Sequence, residues 1–254
     1  MNLDARRLRR GILMAVAHSR PPQILLPGTS PRFPDPNRSD ARGLVAAGGE
    51  LSPEWLLRAY EHGIFPWYDE GLPILWWSPD PRTLMDPSTL HVSRSMRRFI
   101  RSTTLSLTHN RAFTRVMLEA SREREGGTWI LPEMVDAYTR LHELGHAHSI
   151  EVWQGAELVG GLYGVQRGAL FAAESMFHRV TNASKLALIA TVQTLFAAGI
   201  ELFDVQFTTS HLSSLGAHEI SRRDYLGRVA RAIRVPVSLE RLEVRALPLP
   251  PNLD

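Results

Sequence analysis

Three apolar runs separated by short links that each carry a glycine, then a helix that is apolar on almost every side, limit what this chain can become. Apolar residues alternate through Glu151–Trp153, Leu158–Val165 and Leu170–Phe177, with Gly155 and Gly168 between the runs. Alternating runs joined by short glycine-bearing links predict three successive antiparallel strands. Asn182 or Ser184 is placed to cap a helix that stops before Gly199. Its apolar residues, Leu186, Leu188, Ile189, Val192, Leu195 and Phe196, wrap nearly the whole circumference, which predicts a buried helix. A last strand, Leu202–Thr208, follows.

That last strand carries the sharpest local signal. Successive side chains on a strand point to opposite faces. Phe203, Val205 and Phe207 are expected on a core face, and Asp204 and Gln206 on the other. A carboxylate and an amide on an otherwise apolar strand mark either a solvated face or a polar site, because burial without partners is unfavourable. Glu174 sits in LFAAESMF, where the run is apolar on both faces and a solvated face explains less. Two such strands point to a shared cleft.

The 254 residues suffice for one large domain, or a small and a medium one. There is no cysteine, which removes disulfides, a thiolate nucleophile and Cys-based metal sites and fits a reducing cytoplasm. The formal net charge is +3, and Lys185 is the only lysine among the basic residues. The apolar stretch near Met1–Ala17 is too short and mixed for a secretory signal. The region Leu186–Phe203 contains Thr191, Gln193, Thr194, Gly199 and Glu201, so it fits a buried helix plus strand better than a membrane span.

Residues 18–43 are rich in Pro, Arg and Ser and read as irregular extended chain. Ser52 and Pro53 open a short helix that stops at Gly63. Trp67, Trp76 and Trp77 follow among prolines, and WWSPDPR is expected to lead from a small N-terminal domain (1–80) into a larger one (81–254). The three tryptophans form either a packed wedge or a stacking surface for a ligand. In HVSRSMRRFIRS, capped by Ser93 or Ser95, the residues Arg94, Arg97, Arg98 and Arg101 fall on one side of a helix. Met96, Phe99 and Ile100 take the other side. Four arginines without an acid among them are either a solvated face or a seat for a polyanion such as nucleic acid. Arg122, Arg124, Arg222 and Arg223 are candidates to extend that patch.

Helices are expected at Asn110–Glu125 and Pro132–Leu144, with a strand from His148. The third helix ends in His142-Glu143-Leu144-Gly145-His146, a match to the H-E-x-x-H zinc motif. Gly145 reads as the residue past the helix end, which takes His146 off the face of His142. Ser149 and Val152 occupy the positions of the extended motif's Gly and third His. Glu174 is the remaining candidate for a third ligand, and a zinc peptidase is kept as a minor alternative.

The blocks GLVAAGGELSPEWLLRAYEHGIFPW, ILWWSPDPR, LHVSRSM, GTWI, AYTRLHELGHAHSIEVW, LVGGLYGV, FAAESMFHRVTNASKLAL and FDVQFTTSHLSSLGAHEISRRDYL occur in this order. In them the chain resembles bacterial leucyl/phenylalanyl-tRNA–protein transferases. The resemblance implies an α+β fold: a C-terminal GNAT (acyl-CoA N-acyltransferase-like) domain with a smaller N-terminal α/β domain. It implies transfer of Leu or Phe from aminoacyl-tRNA to the α-amino group of proteins beginning with Arg or Lys, which marks them for degradation. It also implies no cofactor and no metal, no membrane partner, and a monomer in the cytoplasm.

The resemblance further assigns roles. Trp67, Trp129 and Glu174 line the site of the aminoacyl-adenosine end, with Leu162, Phe171, Thr191 and Leu195 around the amino-acid side chain. Asp204 and Gln206 are linked to catalysis, with Asp204 expected to orient Gln206 and to help accept a proton. Arg94, Arg97, Arg98 and Arg101 grip the tRNA. Thr191 and Leu195 stand where other members carry aromatics, which leaves the preference among Leu, Phe and Met open. A CoA-dependent N-acyltransferase of the same fold is the rival, although HRVTNASK lacks its R/Q-x-x-G-x-G/A pyrophosphate loop. A non-catalytic RNA-binding module is the third alternative.

Overall fold

The computed structural model describes residues 22–122, 128–240 and 242–244. In chain order these form β1 (Gln23–Leu25), β2 (Leu44–Gly48), α1 (Pro53–Glu61), β3 (Phe65–Pro66), β4 (Leu75–Trp77), β5 (Arg82–Met85), α2 (Arg94–Ser102), β6 (Ser106–His109) and α3 (Phe113–Ser121). There follow α4 (Pro132–Glu143), β7 (Ala147–Gln154), β8 (Glu157–Arg167), β9 (Leu170–His178), α5 (Ala183–Ala197), β10 (Leu202–Gln206), α6 (Ser210–Ser214), β11 (His218–Ile220) and α7 (Arg222–Ala232). The architecture is mixed α+β.

Strands β1-β2-β4-β3 make a four-stranded sheet, and β11-β5-β10-β9-β8-β7-β6 make a seven-stranded one. The two sheets part between Trp77 and Arg82. An apolar cluster nevertheless runs across both. It joins Trp55, Tyr60, Phe65, Trp76 and Trp77 to Tyr138, Tyr163, Ala172 and Phe177. The predicted aromatic wedge is therefore real for Trp76 and Trp77, which are 0% and 2% exposed, whereas Trp67 is only partly buried. Arg222, expected as a candidate for the basic patch, instead clamps the chain together. Its guanidinium donates to Ser39 Oγ (2.8 Å), to the backbone oxygens of Asp40 (3.0 Å) and Ser78 (2.6 Å), and to Ser39 O (2.9 Å).

The central meander forms as the alternation predicts. Strands β7, β8 and β9 pair antiparallel, and Gly155 and Gly168 supply the positive φ of +60° and +56° that their turns need. Helix α5 is buried almost throughout and packs on the opposite face of the sheet from the N-terminal aromatics. Asn182 precedes it with φ 69° but makes no side-chain cap bond. The helix predicted over Asn110–Glu125 is shorter, and its expected tail, with Arg124, lies outside the described residues. Irregular chain was expected over 18–43, yet it contains β1 and a 3-10 turn at Pro36–Arg38.

Two register slips shape the same end of the large sheet. In β9 the pairing jumps from Gly164↔Ala173 to Tyr163↔Ser175, leaving Glu174 as the extra residue. Gly164 permits this: a Cβ there would meet Ala172 O at 2.3 Å and the Phe171 ring at 2.6 Å. In β10 the pairing jumps from Asp204↔Leu84 to Gln206↔Thr83. Bulges of this kind re-aim side chains and end pairing. Strands β9 and β10 run parallel only as far as Ala172↔Asp204, and beyond that pair they part.

Candidate functional site

Glu174 and Gln206 stand on the two arms of that fork. Gln206 Nε2 donates to Glu174 Oε1 at 3.1 Å. Gln206 has φ 59°, a left-handed conformation that non-glycine residues rarely adopt. This bend revises the strand expectation. Phe203 and Val205 lie in the cluster under α5, but Phe207 swings to the other side and packs on Phe65 and Trp67. Asp204 and Gln206 therefore belong to a broken strand and not to one flat polar face.

Asp204 is 0% exposed, and its four acceptor positions are filled. Arg82 Nε (2.8 Å) and Gln206 N (2.9 Å) donate to Oδ1, while Arg82 Nη2 (2.5 Å) and Tyr225 Oη (2.8 Å) donate to Oδ2. The Arg82 guanidinium lies between two rings, 4.8 Å from the Phe65 centroid and 4.4 Å from that of Tyr225. A carboxylate saturated in this way has no acceptor position left for a substrate. What it does is hold the backbone of Gln206 in its strained turn.

Glu174 is different. It is partly exposed, and burial pushes its carboxyl up to about 8, with the nearby charge of Asp204 acting in the same direction. Hydrogen bonds from Tyr60 and Tyr138 and the charge of Arg82 pull the other way. The two tyrosine oxygens lie 2.6 Å apart, and Tyr138 Oη donates to Glu174 Oε2 at 3.5 Å. At neutral pH the carboxyl is mostly protonated, so it both donates and accepts. Tyr60, Tyr138, Arg82 and Tyr225 were not among the expected site residues. They come from four separate elements, and only the lone arginine of the apolar run RTLM hinted at a buried charge partner.

The remaining predicted residues divide into groups. Trp67 is 5.4 Å from the ring of Phe207, which follows Gln206 directly. Trp129 precedes α4, the helix that carries Tyr138, and packs on the same cluster. Leu162, Phe171 and Leu195 lie in the other cluster, under α5, at 3%, 1% and 1% exposure. Thr191 is 0% exposed, and its hydroxyl donates to Ala187 O of its own helix. The fold thus does not bring these four against the two tryptophans. Their cluster reaches the fork at Ala173, next to Glu174.

Helix α2 forms as predicted, with Ser93 accepting from Met96 N. Met96 is buried and Phe99 and Ile100 pack on the α5-side cluster. Arg94, Arg98 and Arg101 are exposed, and among the described residues none has an acidic partner within 4.0 Å. Arg97 is half-buried, and its Nε donates to Val92 O. Arg122 pairs with Glu119 at 3.2 Å. In HELGH, His142 stacks on Phe113 at 4.4 Å and its Nδ1 is 2.8 Å from Ala147 O, which makes it a packing residue. Among the described residues no helix is long and apolar enough to cross a membrane.

A mixed sheet whose parallel pair splays around a neutral carboxyl and an amide, with Trp67 packed on the Phe207 ring that follows the amide, defines an α+β protein with a polar site at the fork of its central sheet. Residues 84–230 match the family described as leucyl/phenylalanyl-tRNA protein transferase, and residues 49–80 match the N-terminal domain of that family. This chain belongs to the leucyl/phenylalanyl-tRNA–protein transferase family. It is 52% identical over 219 residues to the leucyl/phenylalanyl-tRNA–protein transferase of Anaeromyxobacter dehalogenans (strain 2CP-C), covering 85% of this chain and 94% of the relative. It is 51% identical over 220 residues to that of Salmonella newport (strain SL254), covering 86% and 94%. Among solved structures, a GCN5-related N-acetyltransferase from Kribbella flavida aligns with a TM-score of 0.36 and 13% identity, over 64% of this chain and 58% of that one.

Proposed function

We propose that this protein transfers leucine or phenylalanine from aminoacyl-tRNA to the α-amino group of proteins whose first residue is Arg or Lys, marking them for degradation. It acts as a cytoplasmic monomer, with residues 1–80 as the smaller domain and 81–254 as the GNAT-like catalytic domain. The observation that carries this is the Gln206–Glu174 hydrogen bond across the fork, locked from below by Asp204 and Arg82. An aminoacyl ester is already activated, so no covalent enzyme intermediate is needed. An α-amino group has a pKa of about 7.7–8.0, so a useful fraction is free base near neutral pH. The amine nitrogen attacks the ester carbonyl, the bond to the ribose oxygen breaks, and the proton lost by the amine ends on that oxygen, which leaves as the ribose hydroxyl. What the protein must supply is position.

Gln206 is assigned to hold the amine or the ester carbonyl by hydrogen bonds. Glu174, as a neutral carboxyl, is assigned to the α-amino or ribose part of the charged end. Asp204 is a positioning residue for Gln206. Trp67 and Trp129 give an aromatic surface for the terminal adenosine. The apolar cluster of Leu162, Phe171, Thr191 and Leu195 receives the amino-acid side chain near Ala173, and burial there contributes about 0.8 kcal/mol per methylene. Support for these assignments lies in the family membership and in the convergence of Trp67, Glu174 and Gln206 at one end of the sheet.

The test is to incubate the protein with labelled Leu-tRNA and a peptide beginning with Arg, then to measure label in the peptide. Gln206→Ala is expected to lower kcat by about 10- to 30-fold, the loss of one or two hydrogen bonds, with the KM for Leu-tRNA nearly unchanged. Wild-type kcat in that variant would remove the role.

The exposed arginines of α2 are assigned to phosphates. Each phosphate contact releases counterions and steepens the salt dependence of binding. Changing Arg94 and Arg98 together to Glu is expected to weaken tRNA binding by at least tenfold and to flatten the plot of log affinity against log salt. The loss should be equal for tRNAs of different sequence, since backbone contacts read no bases. Filter binding at several salt concentrations checks this.

A further inference from the structure

The end of the large sheet holds another carboxylate, which the reaction above does not use. Glu219 of β11 pairs with Thr83 of β5, and on its other side Thr83 pairs with Gln206 of β10. The three residues make one row across the sheet. Glu219 is exposed, yet it is held in place. Thr208 Oγ1 donates to Glu219 Oε1 at 2.5 Å and lies 2.8 Å from Thr83 Oγ1. Thr83 is 1% exposed, so the two hydroxyls tie a surface carboxylate to the interior. Thr208 follows closely on the left-handed bend at Gln206, so the bend links the two groups.

Among the described residues Glu219 also has no cation beside it. The chain carries 29 lysines and arginines, and other fixed carboxylates have recruited them: Glu61 pairs with Arg167, Glu119 with Arg179 and Arg122, and Asp204 with Arg82. Among the described residues no Arg, Lys or His nitrogen lies within 4.0 Å of Glu219. A carboxylate ordered before any cation arrives lowers the entropy lost on binding one. Neighbouring strands are about 4.8 Å apart, so Glu219 stands about 10 Å from Gln206. A ligand whose amine meets Gln206 and whose side chain ends in a cation bridges that distance, once hydrogen bonds of about 3 Å at each end are included.

We infer that Glu219, held by Thr208 and Thr83, binds the cationic side chain of the acceptor's first residue while the α-amine of that residue sits at Gln206; this rests on the transfer reaction proposed above. The subsite fits either a guanidinium or an ammonium, because Oε1 already accepts from Thr208 and pairing through Oε2 alone suits both cations.

The test compares kcat/KM for peptides that differ only in their first residue: Arg, Lys or norleucine. In wild type the Arg and Lys peptides should be favoured over norleucine. Glu219→Gln is expected to lower that ratio about tenfold, and Glu219→Arg to lower it further. Thr208→Val keeps the carboxylate but releases it, and should lower the ratio about threefold through KM. A ratio that stays at the wild-type value in Glu219→Gln and Glu219→Arg overturns the subsite while leaving the transfer reaction standing. Wild-type protein that labels no peptide overturns the reaction and the subsite with it.

Discussion

Arg82→Met is expected to lower the free energy of unfolding by about 3–5 kcal/mol, the usual consequence of leaving one member of a buried ion pair alone. Asp204 is 0% exposed and takes two of its four hydrogen bonds from that guanidinium. Without it, a fully buried charge would keep only the hydrogen bonds from Gln206 N and Tyr225 Oη. The loss must depend on pH. An unpaired buried carboxylate has its folded-state pKa raised above the unfolded value of about 3.9. Stability in the variant is then fully kept below pH 3.9 and is lost as pH rises through the raised value. Urea unfolding of wild type and variant should therefore differ most near pH 8 and least near pH 4. Replacing both partners, as in Arg82→Met with Asp204→Leu, should recover part of the loss, because no lone charge is left behind. A difference that is the same at all pH values would mean that lost packing, and not the stranded charge, dominates.

The same ion pair shows why the site was only half legible in the sequence. Strands β7, β8 and β9 and helix α5 announce themselves, because local alternation and an all-round apolar helix leave few other folds open. Asp204, Gln206 and Glu174 stood out as polar residues in apolar strands, and the fold does place Glu174 and Gln206 in contact. Their partners gave no comparable sign. Tyr60, Arg82, Tyr138 and Tyr225 are spread over more than half the chain, and only the packing of α1, α4 and α7 around the sheet unites them. Strands β2, β5 and β11 are five residues or fewer, too short for an alternating pattern to be read. The bend at Gln206 was hidden for another reason. A period of two continues through Phe207 in the sequence, and nothing in the residue types signals that the backbone breaks it.

The apolar quartet illustrates the opposite case. Leu162, Phe171 and Leu195 share one buried cluster, and Thr191 is buried on the same helix as Leu195, but all lie on the α5 side, away from Trp67 and Trp129. A sheet separates the two apolar clusters, and the fork between β9 and β10 is where it is open. Under the proposed transfer reaction, the splay would let one substrate touch both: an adenosine on the aromatic side and an apolar side chain beneath the helix, with the ester between Glu174 and Gln206. A continuous ladder at this point would close that route.

Holding Glu174 in that gap destabilises the fold, and the second large prediction follows from this. Its carboxyl is pushed from 4.5 up to about 8, mainly by burial. Each unit corresponds to about 1.4 kcal/mol, and after discounting for the part of the side chain that meets water the expected cost above pH 8 is about 3 kcal/mol. The sign follows from linkage: the folded state binds a proton more tightly than the unfolded chain does. Stability is therefore highest below about pH 4.5 and falls as pH rises through about 8. Glu174→Gln keeps the shape and a hydrogen-bonding amide but cannot ionise. It should match wild type near pH 4.5, gain on it progressively, and be more stable by about 3 kcal/mol near pH 8.5 in urea unfolding. The same variant should transfer amino acids more slowly, since a neutral carboxyl offers a donated proton that an amide supplies with different geometry. If Glu174→Gln unfolds no later than wild type at pH 8.5, the carboxyl is not strained by its surroundings, and the neutral acid at the fork has no physical basis.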